Sequence, residues 1–228
     1  MRALRITLII VVILGGLFVA ADRIAVNMAE SKAADKIKSS QGLTSTPHVS
    51  IKGFPFLTQV VGKELDEVDV GLDGLTTDAG GGRSVRVTEL DAQLHNVSIS
   101  SDFSSATADR ATGSAHISYA DLSQAAGEGV TVGYDPAGGN QVKVTGNLLG
   151  LSLSARSKVT IVNGDTIRMH AETIPGGNIP GWEGKVRERT DIERKIEGLP
   201  QGMRLDKLVT DKDGIEVSVA GNNVALAG

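Results

Sequence analysis

The 228-residue chain has no cysteine, one tryptophan, two tyrosines and four phenylalanines. The missing cysteine removes disulfides, thiolate metal sites and thiol nucleophiles together. It says nothing about compartment, because disulfides are permitted outside the cytoplasm without being required there. Scarce aromatics and a net charge of −4 leave neither a basic footprint nor a set of stacking platforms, which argues against nucleic-acid binding. Without Arg2 and Arg5 the remainder is more acidic still, so a broad polybasic face for anionic lipid is missing too. Catalytic signatures are equally scarce: there is no His-Glu-x-x-His, no Gly-x-Ser-x-Gly and no P-loop. His48, His95, His116 and His170 are scattered and read as surface or strand-face imidazoles. Gly80-Gly81-Gly82-Arg83 is not followed by a capped helix with Lys-Ser/Thr, so it reads as a hairpin tip. Asp66, Glu67 and Asp69 alternate with apolar residues, as on a solvated strand face. No catalytic residue, no metal site and no cofactor is expected.

One long hydrophobic run is present. Met1-Arg2-Ala3-Leu4-Arg5 is a short basic start, and Ile6 to Ala21 is uncharged and rich in Ile, Leu and Val. This is the charged n-region and apolar h-region of an export signal. Sixteen residues of helix rise about 24 Å, short of a roughly 30 Å hydrocarbon core. That favours a cleaved signal peptide, with Val19-Ala20-Ala21 as the cleavage site. Leu4 and snorkelling of Arg5 and Arg23 favour an uncleaved membrane anchor instead. Both readings keep Arg2 and Arg5 cytoplasmic and place the rest of the chain outside the cytoplasm.

Asp22 to about Ser40 reads as a separate helix with Asp22 as its N-cap. Val26, Ala29, Ala33 and Ile37 form one narrow apolar stripe, which should lie against a sheet. From His48 onward the chain reads mainly as strand. Val68, Val70 and Leu72 alternate with Asp69, Gly71 and Asp73. Between Val85 and Ile99 the apolar parity changes twice: Val85 and Val87 are odd, Leu90, Ala92 and Leu94 even, Val97 and Ile99 odd. Each change demands a bulge or bend, so this strand should be long and strongly curved. Leu149 to Ile161 alternates before a tight-hairpin signal at Asn163-Gly164. Ile215, Val217 and Val219 are expected to pair with Val224 and Leu226 across Gly221-Asn222-Asn223. Ser118–Ala126 and Trp182–Ile196 are helix candidates, the second with an imperfect stripe of Trp182, Val186, Arg189 and Glu193. Asp78–Gly82 and Pro136–Asn140 read as loop tips. The fold class is α+β: a long, curved antiparallel sheet wrapped on one or two helices, after an N-terminal hydrophobic helix. Such a sheet, lined by medium aliphatics, either encloses a hollow or packs an ordinary Val, Leu and Ile core.

The most compact motif is Pro47-His48-Val49-Ser50-Ile51-Lys52-Gly53-Phe54-Pro55-Phe56-Leu57-Thr58-Gln59. Pro55 keeps Phe54 out of the helical region, so Phe54, Phe56 and Leu57 are expected on an extended, proline-stiffened segment. The motif resembles the signature of the actinobacterial LmeA-type family of envelope phospholipid-binding proteins. The likeness continues in Ile196-Glu197-Gly198-Leu199-Pro200, Leu205 and Asp213-Gly214-Ile215-Glu216-Val217, and in the N-terminal hydrophobic segment with its following helix. Residues 103–162 match only in general pattern. The resemblance implies phospholipid binding, with phosphatidylinositol-type lipid as the class, a distant relationship to tubular lipid-binding (BPI-like) proteins, and no catalytic residues.

The leading expectation is therefore residues 1–21 as signal peptide or membrane anchor and residues 22–228 as one lipid-binding domain. Phe54, Phe56 and Leu57 would stand near the entrance of an apolar cavity. Strand alternation assigns its lining to Val68, Val70 and Leu72, with Leu90 and Leu94. The competing expectation is a non-catalytic scaffolding protein of the envelope with a filled core, recruiting a glycosyltransferase. A continuous apolar cavity separates the two.

Overall fold

A computed structural model describes every residue except 1, 41, 81–82, 102–104, 149–150, 175–182, 185–186, 188–189, 198 and 227–228. The chain opens with one uninterrupted helix, α1 (Arg2–Ser40), not with two. No proline falls inside it, so nothing breaks the hydrogen-bond ladder between the apolar half and the stripe. Asp22 consequently lies mid-helix and is no N-cap. Residues 3–21 are exposed throughout, and α1 is long and apolar enough to cross a membrane by length and composition.

Among the described residues eleven strands follow, in two antiparallel sheets. The first sheet contains β1 (His48–Lys52), β2 (Glu64–Gly80), β3 (Arg83–Ile99), β4 (Ala106–Ser118), β10 (Met203–Thr210) and β11 (Gly214–Leu226). Their order is β1-β2-β3-β4-β11-β10, and the sheet is curled into a half-barrel. A short helix, α2 (Phe56–Gly62), links β1 to β2. The second sheet is a meander of β5 (Val130–Tyr134), β6 (Gln141–Leu148), β7 (Leu151–Val162), β8 (Thr166–Thr173) and β9 (Ile192–Lys195). It is entered through α3 (Tyr119–Ala126), whose N-cap Ser118 accepts the Asp121 N–H. The Asn163-Gly164 turn between β7 and β8 has both residues at positive φ (56° and 74°), as a primed turn demands. Its Gly164 carbonyl accepts the Leu205 N–H at 2.7 Å, so that turn ties the second sheet to the β10 edge of the first.

Two expectations fail. The C-terminal hairpin is not there: β11 runs straight through Gly221-Asn222-Asn223 and pairs with β4 on one side and β10 on the other. The chain does not reverse, because Gly221, Asn222 and Val224 stay in one register with Ala111, Arg110 and Ala108 of β4. Gly221 serves close approach instead, since a Cβ there would collide with the Gly202 carbonyl. The helix expected over 182–196 is also cut short. Glu183, Gly184, Arg187 and Thr190 are helical, but Ile192–Lys195 is β9. Trp182, Val186 and Arg189 lie outside the described residues. Sheet pairing with β8 overrides the weak helical pattern there: Met169 is registered with Ile192 and Arg168 with Glu193.

Acid titration should be felt at the tight turns. Asp135 is buried; its carboxylate accepts the Ala137 N–H at 2.9 Å and pairs with Arg156 at 2.6 Å. Those contacts hold its carboxyl below the ordinary range. Asp211 accepts the Asp213 and Gly214 N–H groups and is lowered for that reason. A folded value below the unfolded one of about 3.9 gives stability that is complete above about pH 5 and lost as pH falls through the folded value. The melting temperature should therefore hold steady from about pH 8 to 5 and drop below about pH 4. Asp135→Asn with Asp211→Asn should flatten that acid limb. A loss of stability between neutral pH and about pH 6 would contradict the assignment.

Candidate functional site

Cross-strand partners in a sheet share a face, so the registers map the inner face of the first sheet row by row. One row is Leu65, Val97, Ala108 and Val224. The next inward row is Ile51, Val68, Leu94, Ala111 and Gly221. Three positions separate these rows on every strand they share, an odd step that would ordinarily reverse the face. Yet Leu65, Val68, Val97, Ala108 and Leu94 meet in one core cluster. The sheet is therefore creased along one transverse line across β2, β3, β4 and β11. Left-handed residues Asn96 (φ 50°) and Asn223 (φ 51°) sit on that line. A second crease, on β2 and β3 alone, is marked by Gly74 (φ 70°). Strand register shifts at neither crease, so the parity changes are bends in paired strands rather than one-sided bulges.

The creased inner face is covered from two sides. Val26 and Ala34 of α1 are buried against Val49, Phe56, Leu65, Val68 and Val97, with Ala29, Ala33 and Ile37 packed beside them. The helical stripe thus lies against the sheet as its spacing demands. On the far side, Leu205, Leu208, Ile215 and Val217 pack with Val132, Val142, Val144 and Val159 of the second sheet. Between the two clusters run the rows Val70, Ala92, Gly113, Val219 and Leu72, Leu90, Ala115, Val217. Leu90, Ala92, Gly113 and Ala115 are half-buried, and neither cluster takes in Leu90, Ala92 or Ala115. The result is a strip of small side chains on β3 and β4 with larger aliphatics on either flank. Gly113 is closely approached: a Cβ would meet Val219 Cγ2 at 3.0 Å and the Asp91 carbonyl at 3.1 Å, so even a methyl would press on both.

The residues singled out from sequence fall into two groups. Phe54, Phe56 and Leu57 gather at the junction of α1 and α2. Phe56 does not continue an extended segment but begins α2, and it is 6% exposed within the core under α1. Leu57 is half-buried and its N–H donates to Asp22 Oδ1 at 2.8 Å. Phe54 is 59% exposed, with the Arg23 guanidinium 5.1 Å from its ring centre. Val68 is buried and Val70 and Leu94 are half-buried beside the α1 stripe. Leu72 and Leu90 are direct cross-strand partners in the strip. Leu65, which packs with Phe56, precedes Leu72 by seven residues of β2, about 23 Å. The structure thus separates the phenylalanine motif from the Leu72–Leu90 row.

Sequence reading missed Gly113, Ala115 and the role of Asp22. Ala106, Ala108, then Ala111, Gly113 and Ala115 are small residues at period two, a detectable signal of a face with a shallow floor. Asp22 left no signal, since its partner Leu57 is 35 positions away. On the opposite face the first crease turns successive polar side chains outward. His95, Asn96, Asp109, Arg110 and Asn222 line an open polar cavity of about 360 Å³ there. None of the residues expected to bind lipid lines it, and His95 stands there as the surface imidazole that the sequence implied. Among the described residues, no group of three or more His, Cys, Asp or Glu could hold a metal ion.

A family model described as LmeA-like phospholipid-binding matches residues 20–220. The chain belongs to the LmeA-like phospholipid-binding family. No curated protein and no solved structure matches it. The matched span takes in the α1 stripe, α2, both sheets and most of β11, so in this LmeA-like chain the creased half-barrel and the second sheet together make the family unit. The family is described as phospholipid-binding, which supports lipid binding as the class of function.

Proposed function

We propose that the chain is an extracytoplasmic phospholipid-binding protein of the cell envelope, carried to the membrane by the apolar half of α1. Acyl chains lie along the strip of Leu90, Ala92, Gly113 and Ala115, flanked by Val70, Leu72 and Leu94. The observation that carries this reading is the gap between the two core clusters on one face of the half-barrel. Small residues there keep the floor of the strip low, and the aliphatic flanks make its surroundings apolar. Phe56 and Val68 shape the flank from within the core, and Phe54 and Leu57 belong to the membrane-facing end. Burial gains about 0.8 kcal/mol per methylene, so ten shielded methylenes supply roughly 8 kcal/mol before ordering costs. The head group stays at the edge of the strip, with phosphatidylinositol-type lipid as the class the family resemblance favours. The mechanism is reversible extraction and presentation, with no covalent step. An envelope glycosyltransferase is the class of protein that would use a lipid presented in this way.

The test is photo-crosslinking of the full chain with a phospholipid carrying a diazirine near the middle of one acyl chain. Adducts are expected on β3 and β4, within residues 88–94 and 111–117. Adducts confined to residues 3–21 would mean that only the apolar helix meets lipid, and the strip would be discarded as the site.

A further inference from the structure

The junction of α1 and α2 has a geometry that acyl binding in the strip does not explain. Residues 3–21 are all exposed, and Asp22 is the first fully buried residue of the helix. Its two carboxylate oxygens are both used, one by the Leu57 N–H at 2.8 Å and the other by Arg23 at 2.6 Å. The next residue, Arg23, lies over the Phe54 ring at 5.1 Å. These contacts fix α2 and Phe54 at the height where the apolar run ends. The apolar run and the packed stripe belong to one helix, continuous from Arg2 to Ser40. Phe54 is 59% exposed, Ile24, next to Arg23 on α1, 62%, and Val61, in the last turn of α2, 84%. Among the described residues Val61 is the most exposed large hydrophobic, and with Ile24 and Phe54 it leaves apolar side chains uncovered on α1, on α2 and on the segment that leads into α2.

We propose that Arg23, Ile24, Phe54 and Val61 form a membrane-docking surface seated in the head-group layer of the bilayer that α1 crosses. The occupant is a lipid surface, because Arg23 and Ile24 directly follow, on the same helix, a run long and apolar enough by length and composition to cross a membrane. Arg23 suits the phosphate level: its guanidinium lies over the Phe54 ring and pairs with Asp22 through one nitrogen, and the half-exposed side chain has further N–H donors for a lipid phosphate. Phe54 and Val61 then enter the boundary between head groups and acyl chains, where apolar side chains are favoured. The rise from Asp22 to Ile37 is about 22 Å, and Ile37 packs in the same cluster as Val70 and Leu94 at the edge of the strip. A docked domain therefore stands with its acyl-binding strip held away from the bilayer that anchors it and directed toward an acceptor outside that membrane. This orientation rests on the strip being the acyl site; the docking surface does not.

The absence of cysteine makes a direct test straightforward. Val61→Cys and, separately, Phe54→Cys are labelled with the environment-sensitive dye NBD in the full chain. Lys212→Cys, at the exposed turn between β10 and β11, is the reference. Each is reconstituted in phosphatidylcholine vesicles containing spin-labelled phosphatidylcholine. Emission at positions 54 and 61 should shift to the blue and be quenched severalfold more than at position 212. Equal quenching at all three positions would overturn the proposal. The same quenching is expected when phenylalanine fills the strip at Ala92 and Ala115, so loss of bound lipid and loss of docking are read apart.

Discussion

A chain carrying Ala92→Phe and Ala115→Phe together should fold and lose its phospholipid. Both alanines are half-buried on the inner face and belong to neither core cluster, so added rings project over the strip instead of into packed side chains. Phenylalanine also suits strand backbone. Two rings displace the space of several methylenes, and at about 0.8 kcal/mol each the loss of four is about 3 kcal/mol, more than a hundredfold in affinity. The measurement is lipid bound per protein after incubation with fluorescent phospholipid, together with the circular dichroism melt. Full lipid uptake with an unchanged melt would remove the strip from the proposed site. Conservative Ala115→Ser should keep most binding, because it adds one atom.

The second large effect separates the two phenylalanines of one motif. Phe56 is 6% exposed in the cluster that joins α1, α2, β2 and β3. Its replacement by alanine removes a buried ring and leaves a cavity, at a cost of about 3–5 kcal/mol. For a domain of this size that is a fall of roughly 10 °C or more in melting temperature. Phe56→Leu should recover much of it. Phe54→Ala, at an exposed position, should stay within about 0.5 kcal/mol of the parent. Urea midpoints should move for position 56 alone, with unchanged slope. A similar loss at both positions would mean that Phe54 is buried by contacts beyond those of the described residues.

The pair also shows how far periodicity carries. Alternation correctly assigned Val68, Val70, Leu72, Leu90 and Leu94 to one face, because strand side chains alternate whatever the tertiary context. It also required the bends, since Leu90, Ala92 and Leu94 share a face with Val97 only if the strand turns. It did not show that β2, β4 and β11 bend on the same line, because that line joins residues as distant as Leu65 and Val224. Alternation on either side of Gly221-Asn222-Asn223 is the same whether the chain reverses or continues. The choice belonged to β4 and β10, which occupy both edges of β11. The pattern over 182–196 failed for a related reason: β8 offers Ile192–Lys195 a hydrogen-bonding edge that a weak helical stripe does not outweigh.

By itself the sequence determined the apolar N-terminal run, the α1 stripe, the strand-rich α+β class and the Gly-Phe-Pro-Phe-Leu-Thr-Gln motif that carries the family resemblance. These are local quantities, set by hydropathy, spacing and a short run of residue types. Tertiary structure alone decided that α1 is one helix, that Asp22 holds the α2 backbone 35 positions away, and that Phe56 is core while Phe54 is surface. It also decided that a floor of alanine and glycine lies between two packed clusters. Small residues on one strand say little about what stands above them. Whether they pack against a neighbour or border open space depends on which distant segments cover that face, and only the folded chain brings those segments into place.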